Sequence, residues 1–186
     1  HLGSPMRAFN SLNRVGASSL SNEIASGALF FAVGGFWWLL ARLGKLPAAL
    51  GRPWLLLSML LGLIFVLAMT RVYQIETVPT WYSGGTTTSF FLTMALTGPL
   101  FAALLLRAAN VEFNGRFFAS LSVLALFASI ALVIIQGVEL SDIQSSVQRA
   151  GALVPNYAAL QIWRIALLAL GLGCWICPLL SNWIPR

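Results

Sequence analysis

The sequence predicts an all-α, polytopic transmembrane helical bundle with five spans, and three observations predict it. Hydrophobic residues fill 59% of the 186 positions and charged residues only 9%, with a mean hydropathy of +0.85. A soluble domain carries about 25% charged residues, so this chain lacks the means to cover a water-facing surface. The apolar residues gather into five runs, each near the ~20 residues that a helix needs to cross the hydrocarbon layer. The runs are continuous and rich in Leu and Ala, without the period-2 alternation of a strand.

The first span, 22–41, opens at Ser21-Asn22, residue types that cap helices. Glu23 follows in what reads as the first turn, where a carboxylate meets the positive end of the dipole. The second span is 53–71. The third, 88–106, carries Pro99 in its middle, where a kink is expected. The fourth is 117–137 and the fifth 158–180. Gly34, Gly35, Gly62, Gly98, Gly171 and Gly173 lie inside spans, where small residues let helices approach closely. The five spans are read as a single transmembrane domain over 1–186. It begins at His1 without a methionine and ends just after an apolar run, so truncation at both ends is expected.

Alternating spans place 1–21, 72–87 and 138–157 on one face, side A, and 42–52, 107–116 and 181–186 on the other, side B. Side B carries Arg42, Lys45, Arg52, Arg107, Arg116 and Arg186 against the single acid Glu112. Side A carries Arg7, Arg14 and Arg149 in its loops, with Arg71 and Arg164 inside apolar runs, and Glu23, Glu76, Glu139 and Asp142 as acids. The positive-inside rule then predicts side B in the cytoplasm and side A, with residues 1–21, in the periplasm of a bacterial inner membrane. Side A segments are also longer and more polar, so the functional site is expected there. The basic residues stand singly, without a cluster or stripe, which argues against nucleic-acid binding.

His1 is the single histidine, so a haem held by two histidines is excluded within this chain. A histidine at a helix end is either a solvated or capping residue, or a proton acceptor, since the imidazole titrates near neutrality. Cys174 and Cys177 form a C-x-x-C inside the last span. With no second pair and no nearby histidine they lack the four ligands of a structural zinc site, and they read as small apolar helix residues. Arg71 and Arg164 are either functional, as ionisable groups inside spans tend to be, or snorkelling toward side A. Gln136 and Gln161 add hydrogen-bonding capacity near the same face or serve interhelical packing. Trp54, Trp81, Tyr82, Trp163 and Trp183 fit interfacial belts.

Three stretches carry a resemblance: HLGSPMRAFNSLNRVGASSLSNEIASG at the start, TVPTWY in the 72–87 loop and SSVQRAGALVPNYAALQIWR before and into the last span. In them the chain resembles the membrane anchors of anaerobic dimethyl sulfoxide reductases, in the complex iron–sulfur molybdoenzyme family. The resemblance implies a haem-free anchor of eight transmembrane helices when full length. Such an anchor binds and oxidises menaquinol and holds no metal of its own. It passes electrons to an iron–sulfur subunit and on to a molybdenum-cofactor catalytic subunit. It further implies that His1, Arg7 and Glu23 serve quinol binding and proton transfer. Gly3 and Ser4 belong to the same motif, and Ser4, Arg71, Gln136 and Arg164 are candidates for a supporting role. Without the resemblance, two other readings of the residues stand: a small-molecule or ion transporter, and a purely structural anchor.

Overall fold

The computed structural model describes residues 5–142 and 154–180. Its contacts divide the chain into two compact units, His1–Tyr82 and Ser83–Arg186, taken here in turn. All regular structure among the described residues is helical.

The first unit begins with a 3₁₀ helix, Pro5–Leu12, followed by α1, Ser19–Arg42, and α2, Ala48–Tyr73. The 3₁₀ helix packs against α1. Between them Gly16 takes a left-handed backbone (φ +91°), and its N–H donates to Oδ1 of Asn22 at 2.6 Å. That bond occupies the Asn22 side chain, and Ser18, with extended backbone, accepts from the Ser21 amide as the N-cap. Helix α1 therefore starts three residues before the expected 22, and Glu23 lies in its second turn, past the turn where dipole and cap act most strongly.

Helix α1 ends in a Schellman turn. The Gly44 amide donates to the Ala41 carbonyl at 3.1 Å and the Lys45 amide to the Leu40 carbonyl at 2.9 Å. Gly44 supplies the positive φ (+65°) that this turn requires. The chain then re-enters as α2, which packs on α1 through paired glycines and phenylalanines. A Cβ at Gly27 would lie 2.8 Å from the Phe65 ring, and one at Gly62 would lie 3.1 Å from the Phe30 ring. Each glycine is thus a socket for the other helix's aromatic, and the Phe30 and Phe65 rings stack with centroids 6.1 Å apart.

Nearer the Schellman turn, two indoles bridge the same pair of helices. Trp37 Nε1 donates to the Gly51 carbonyl and Trp54 Nε1 to the Val33 carbonyl, each at 3.0 Å. An indole N–H in a water-poor setting needs an acceptor, and here each finds one on the facing helix.

The second unit contains α3, Gly84–Ala108, α4, Gly115–Asp142, and α5, Val154–Leu180. Ser83 caps α3 by accepting from the Thr86 amide at 3.3 Å. The helix runs unbroken through Pro99, which is buried. Small residues bring α3 and α4 together: Ala103 and Ser122 are fully buried, with Ala119 and Ala125 nearly so. Ser122 Oγ donates across the interface to the Leu96 carbonyl at 3.1 Å. Leu96, Ala125, Leu126 and Leu172 form the core, so α5 adds its apolar face to that of the α3–α4 pair. The α3–α4 turn is again of Schellman type, with Asn110 at positive φ (+52°) in the place that Gly44 holds in the first unit.

Helices α1, α2, α3 and the Gly115–Glu139 part of α4 are long and apolar enough to cross a membrane. The apolar stretch described in α5, Ala159–Cys174, is shorter, inside a helix of 27 residues. Only 6–22% of the apolar windows of the four is buried inside the protein. So much exposed Leu, Phe and Trp is stable against hydrocarbon and not against water. This is a multi-pass membrane protein. The hydroxyl residues on α3 fit that medium: Thr88, Ser89, Thr93 and Thr97 each donate to a carbonyl three or four residues back. No hydroxyl proton among these four is left without an acceptor.

Candidate functional site

Two polar regions follow from this architecture, one in each unit. In the first, α1 and α2 form an antiparallel hairpin, so the start of α1 and the end of α2 share one end. Arg7 is exposed on the 3₁₀ helix packed against α1. Glu23 is half-buried in the second turn of α1. Arg71 is exposed in the last turn of α2, where its charge faces the carbonyl end of the helix. Just beyond, Tyr73 and Trp81 meet edge to face with centroids 5.5 Å apart. This end of the first unit thus presents two guanidinium groups, a carboxylate and an aromatic pair. His1, Gly3 and Ser4 lie outside the described residues.

In the second unit, Gln136 of α4 and Arg164 of α5 line one cleft together with Ser89 of α3 and Ser129 of α4. Among the described residues its remaining walls are apolar, and no carboxylate lines it. Gly85 is what lets Gln136 sit there: a Cβ on Gly85 would come within 2.7 Å of Gln136 Nε2. Gln161 stands one turn before Arg164 on α5, and its Oε1 is buried without a hydrogen-bond partner among the described residues. Of the supporting candidates, then, Arg71 belongs to the first unit, and Gln136 and Arg164 come together in the second. Cys174 is exposed on α5, and the Cys177 side chain lies outside what is described.

Sequence reasoning passed over Ser89, Ser129 and Gly85. Serines inside a span read as packing residues, and Gly85 sits in a Ser-Gly-Gly-Thr stretch that reads as a loop. The one signal available was Gln136 itself, an amide inside a span that needs neighbours to satisfy it.

The family model described as DMSO reductase anchor subunit (DmsC) matches residues 1–185. The protein is 64% identical over 186 residues to the YnfH subunit of anaerobic dimethyl sulfoxide reductase of Escherichia coli, a match covering 100% of this sequence and 66% of that relative. It is 59% identical over 187 residues to the C subunit of anaerobic dimethyl sulfoxide reductase of the same species, covering 100% of this sequence and 65% of the relative. The C subunit of the Haemophilus influenzae enzyme is 45% identical over 171 residues, covering 91% of this sequence and 61% of the relative. The protein therefore spans just under two thirds of the length of these relatives. No solved structure matches it. With the family match running over residues 1–185 and a membrane-spanning helical fold beneath it, the chain belongs to the DMSO reductase anchor subunit family.

Proposed function

We infer that this chain binds menaquinol at the end of the first unit that bears Arg7 and Glu23, and oxidises it there. In this reading it is the haem-free anchor of a dimethyl sulfoxide reductase-type complex in anaerobic respiration. Electrons pass to an iron–sulfur subunit and from it to a molybdenum-cofactor catalytic subunit, and dimethyl sulfoxide or a related oxide is the terminal acceptor. The anchor lies in the bacterial inner membrane with residues 1–21 on the periplasmic side. The observation that carries the reading is the family match over 1–185, which includes the segment holding His1, Arg7 and Glu23.

The chemistry needs two electrons and two protons to leave a hydroquinone. His1, as neutral imidazole, accepts a phenolic proton, since its ordinary pKa lies near working pH. The Arg7 guanidinium offsets negative charge as it develops on the phenolic oxygen. Glu23 relays protons from the membrane edge to the aqueous face. The redox chemistry belongs to the quinol and to the partner's cluster, and this chain supplies binding, orientation and charge.

The test is His1→Ala and Glu23→Gln in the full-length protein assembled with its partners. Quinol-dependent turnover is expected to fall by roughly 10²–10⁴-fold, the usual loss on removing a general base. Turnover with an artificial donor that bypasses the anchor is expected to stay. Near-normal quinol oxidation in both variants would leave the chain a structural tether. Loss of both activities together would mark an assembly defect, which immunoprecipitation of the partner subunits would reveal.

A further inference from the structure

The cleft of the second unit has a donor and acceptor pattern that selects its occupant. Ser89 Oγ gives its proton to the Thr86 carbonyl at 2.9 Å, and Ser129 Oγ gives its proton to the Ala125 carbonyl at 2.7 Å. Both serines line the cleft with their protons committed to their own helices, so toward an occupant they act as acceptors. Arg164 offers donors only, and Gln136 offers one of each kind. A carboxylate or phosphate, which only accepts, would satisfy Arg164 and meet two serine lone pairs. An ammonium, which only donates, would satisfy the serines and meet the guanidinium. A neutral hydroxyl does both at once.

Size points the same way. The cleft encloses about 20 Å³, against the roughly 10–15 Å³ that one water requires on this measure. Its inner space has room for one small oxygen group and opens outward. The buried Oε1 of Gln161, one turn away on α5, is a further acceptor with no donor among the described residues.

We propose that this cleft binds a neutral hydroxyl group, which donates to Ser89 or Ser129 and accepts from Arg164 and Gln136. The hydroxyl has two possible sources in a bilayer: an ordered water, or the phenolic O–H of a hydroquinone whose ring stays at the mouth. The site solves a physical problem for the protein. Arg164, exposed on α5 within its apolar run, needs hydrogen-bond acceptors in a membrane, and among the described residues no acid lines the cleft to provide them. The water arm stands whether or not menaquinol is the substrate, and the hydroquinone arm rests on the quinol reading above.

Hydroxyl-radical footprinting of the full-length protein in lipid nanodiscs tests this, because radiolysis labels side chains beside bound water. Ile165 and Leu168 line the cleft, whereas Leu167 and Leu170 on the same helix are each 64% exposed outside it. In quinone-free discs, Ile165 and Leu168 are expected to label several-fold above Leu167 and Leu170. Ser129→Ala, which keeps a good helix former and removes one acceptor, is expected to lower that labelling. Gln136→Leu is expected to reduce it to the lipid-facing level. Adding a short-chain menaquinol distinguishes the sources: protection of Ile165 and Leu168 assigns the hydroxyl to hydroquinone, and unchanged labelling assigns it to water. Labelling no higher than at Leu167, with no effect of menaquinol on either pair, overturns the proposal. Protection by acetate overturns it too, by showing an anion site. His1→Ala is expected to leave the cleft labelling as it was, so failure here is separable from failure of the quinol reading.

Discussion

The α1–α2 and α3–α4 hairpins have the same plan and opposite interiors. Each is two membrane-length helices joined through a Schellman turn. In the first, large rings fill sockets left by glycines, and two indoles bond across to the facing backbone. In the second, alanines and a serine lie flat against each other, and one hydroxyl reaches the opposite carbonyl. Lipid is as apolar as leucine, so neither pair is driven together by leaving water. What remains is contact and interhelical hydrogen bonding. Shape complementarity is therefore reached equally by ring into gap or by small on small. The choice has consequences elsewhere. The ring-and-gap hairpin carries the 3₁₀ helix against α1, whereas the core of the small-residue pair takes in Leu172 of α5.

The two interiors are told apart most visibly at Gly27. Gly27→Leu places a branched side chain where the Phe65 ring already stands, 2.8 Å from the nearest possible Cβ. Overpacking of this kind costs about 1–3 kcal/mol. Gly34→Leu, on the same helix with open space around it, is expected to be close to neutral. Unfolding of the full-length protein from mixed micelles by SDS, followed by tryptophan fluorescence, measures both. Equal effects at the two positions would show that the socket does not hold the hairpin.

A smaller effect is expected at Ser122 in the second hairpin. Ser122→Ala leaves the Leu96 carbonyl without its cross-helix donor, and such bonds contribute about 0.6–2 kcal/mol within a membrane. Ser120→Ala, two residues away, removes only an exposed bond to its own helix at Phe117 and serves as the control. A loss at Ser120 as large as at Ser122 would locate the stabilisation in helix propensity and not in the interface.

The positions of all five helices were legible because apolar length reports hydrocarbon thickness. Their ends were not. Helix α2 begins at Ala48 against an expected 53, and α4 runs to Asp142 against an expected 137. Helices of 24–28 residues span roughly 36–42 Å, more than the ~30 Å of hydrocarbon, so each continues past the hydrocarbon into the headgroup layer, where apolar length no longer marks its end. The glycines were harder still. Of the six singled out for close packing, Gly62 meets a ring, while Gly34, Gly35, Gly98, Gly171 and Gly173 have open space around them. The two tightest, Gly27 and Gly85, were passed over, since what makes a glycine a socket is the residue opposite it. Trp54 read as a belt residue, and its indole also donates to the Val33 carbonyl of α1, a bond that sequence alone did not foretell. At the candidate site, Arg7 and Glu23 were singled out through a motif, and they lie on the 3₁₀ helix and in the second turn of α1. The pairing of Gln136 with Arg164 depends on how α4 packs on α5, which residue types along one sequence do not encode.

The finest distinction lies in the two turns, where one backbone conformation is served by different residues. Gly44 has no atom within 4 Å of where a Cβ would sit, so Gly44→Ala meets no clash and isolates the cost of a left-handed backbone. That cost is about 1 kcal/mol for an L-residue. Asn110 already carries a side chain at φ +52°, and asparagine tolerates this region better than most residues. Asn110→Gly relieves the residual strain but also frees the unfolded chain, and these oppose each other within a few tenths of a kcal/mol. The same SDS titration is therefore expected to show a clear loss for Gly44→Ala and almost no change for Asn110→Gly. If Asn110→Gly destabilised as much as Gly44→Ala, the Asn110 side chain would be holding the turn through contacts of its own, and the two turns would differ in mechanism as much as the two interiors do.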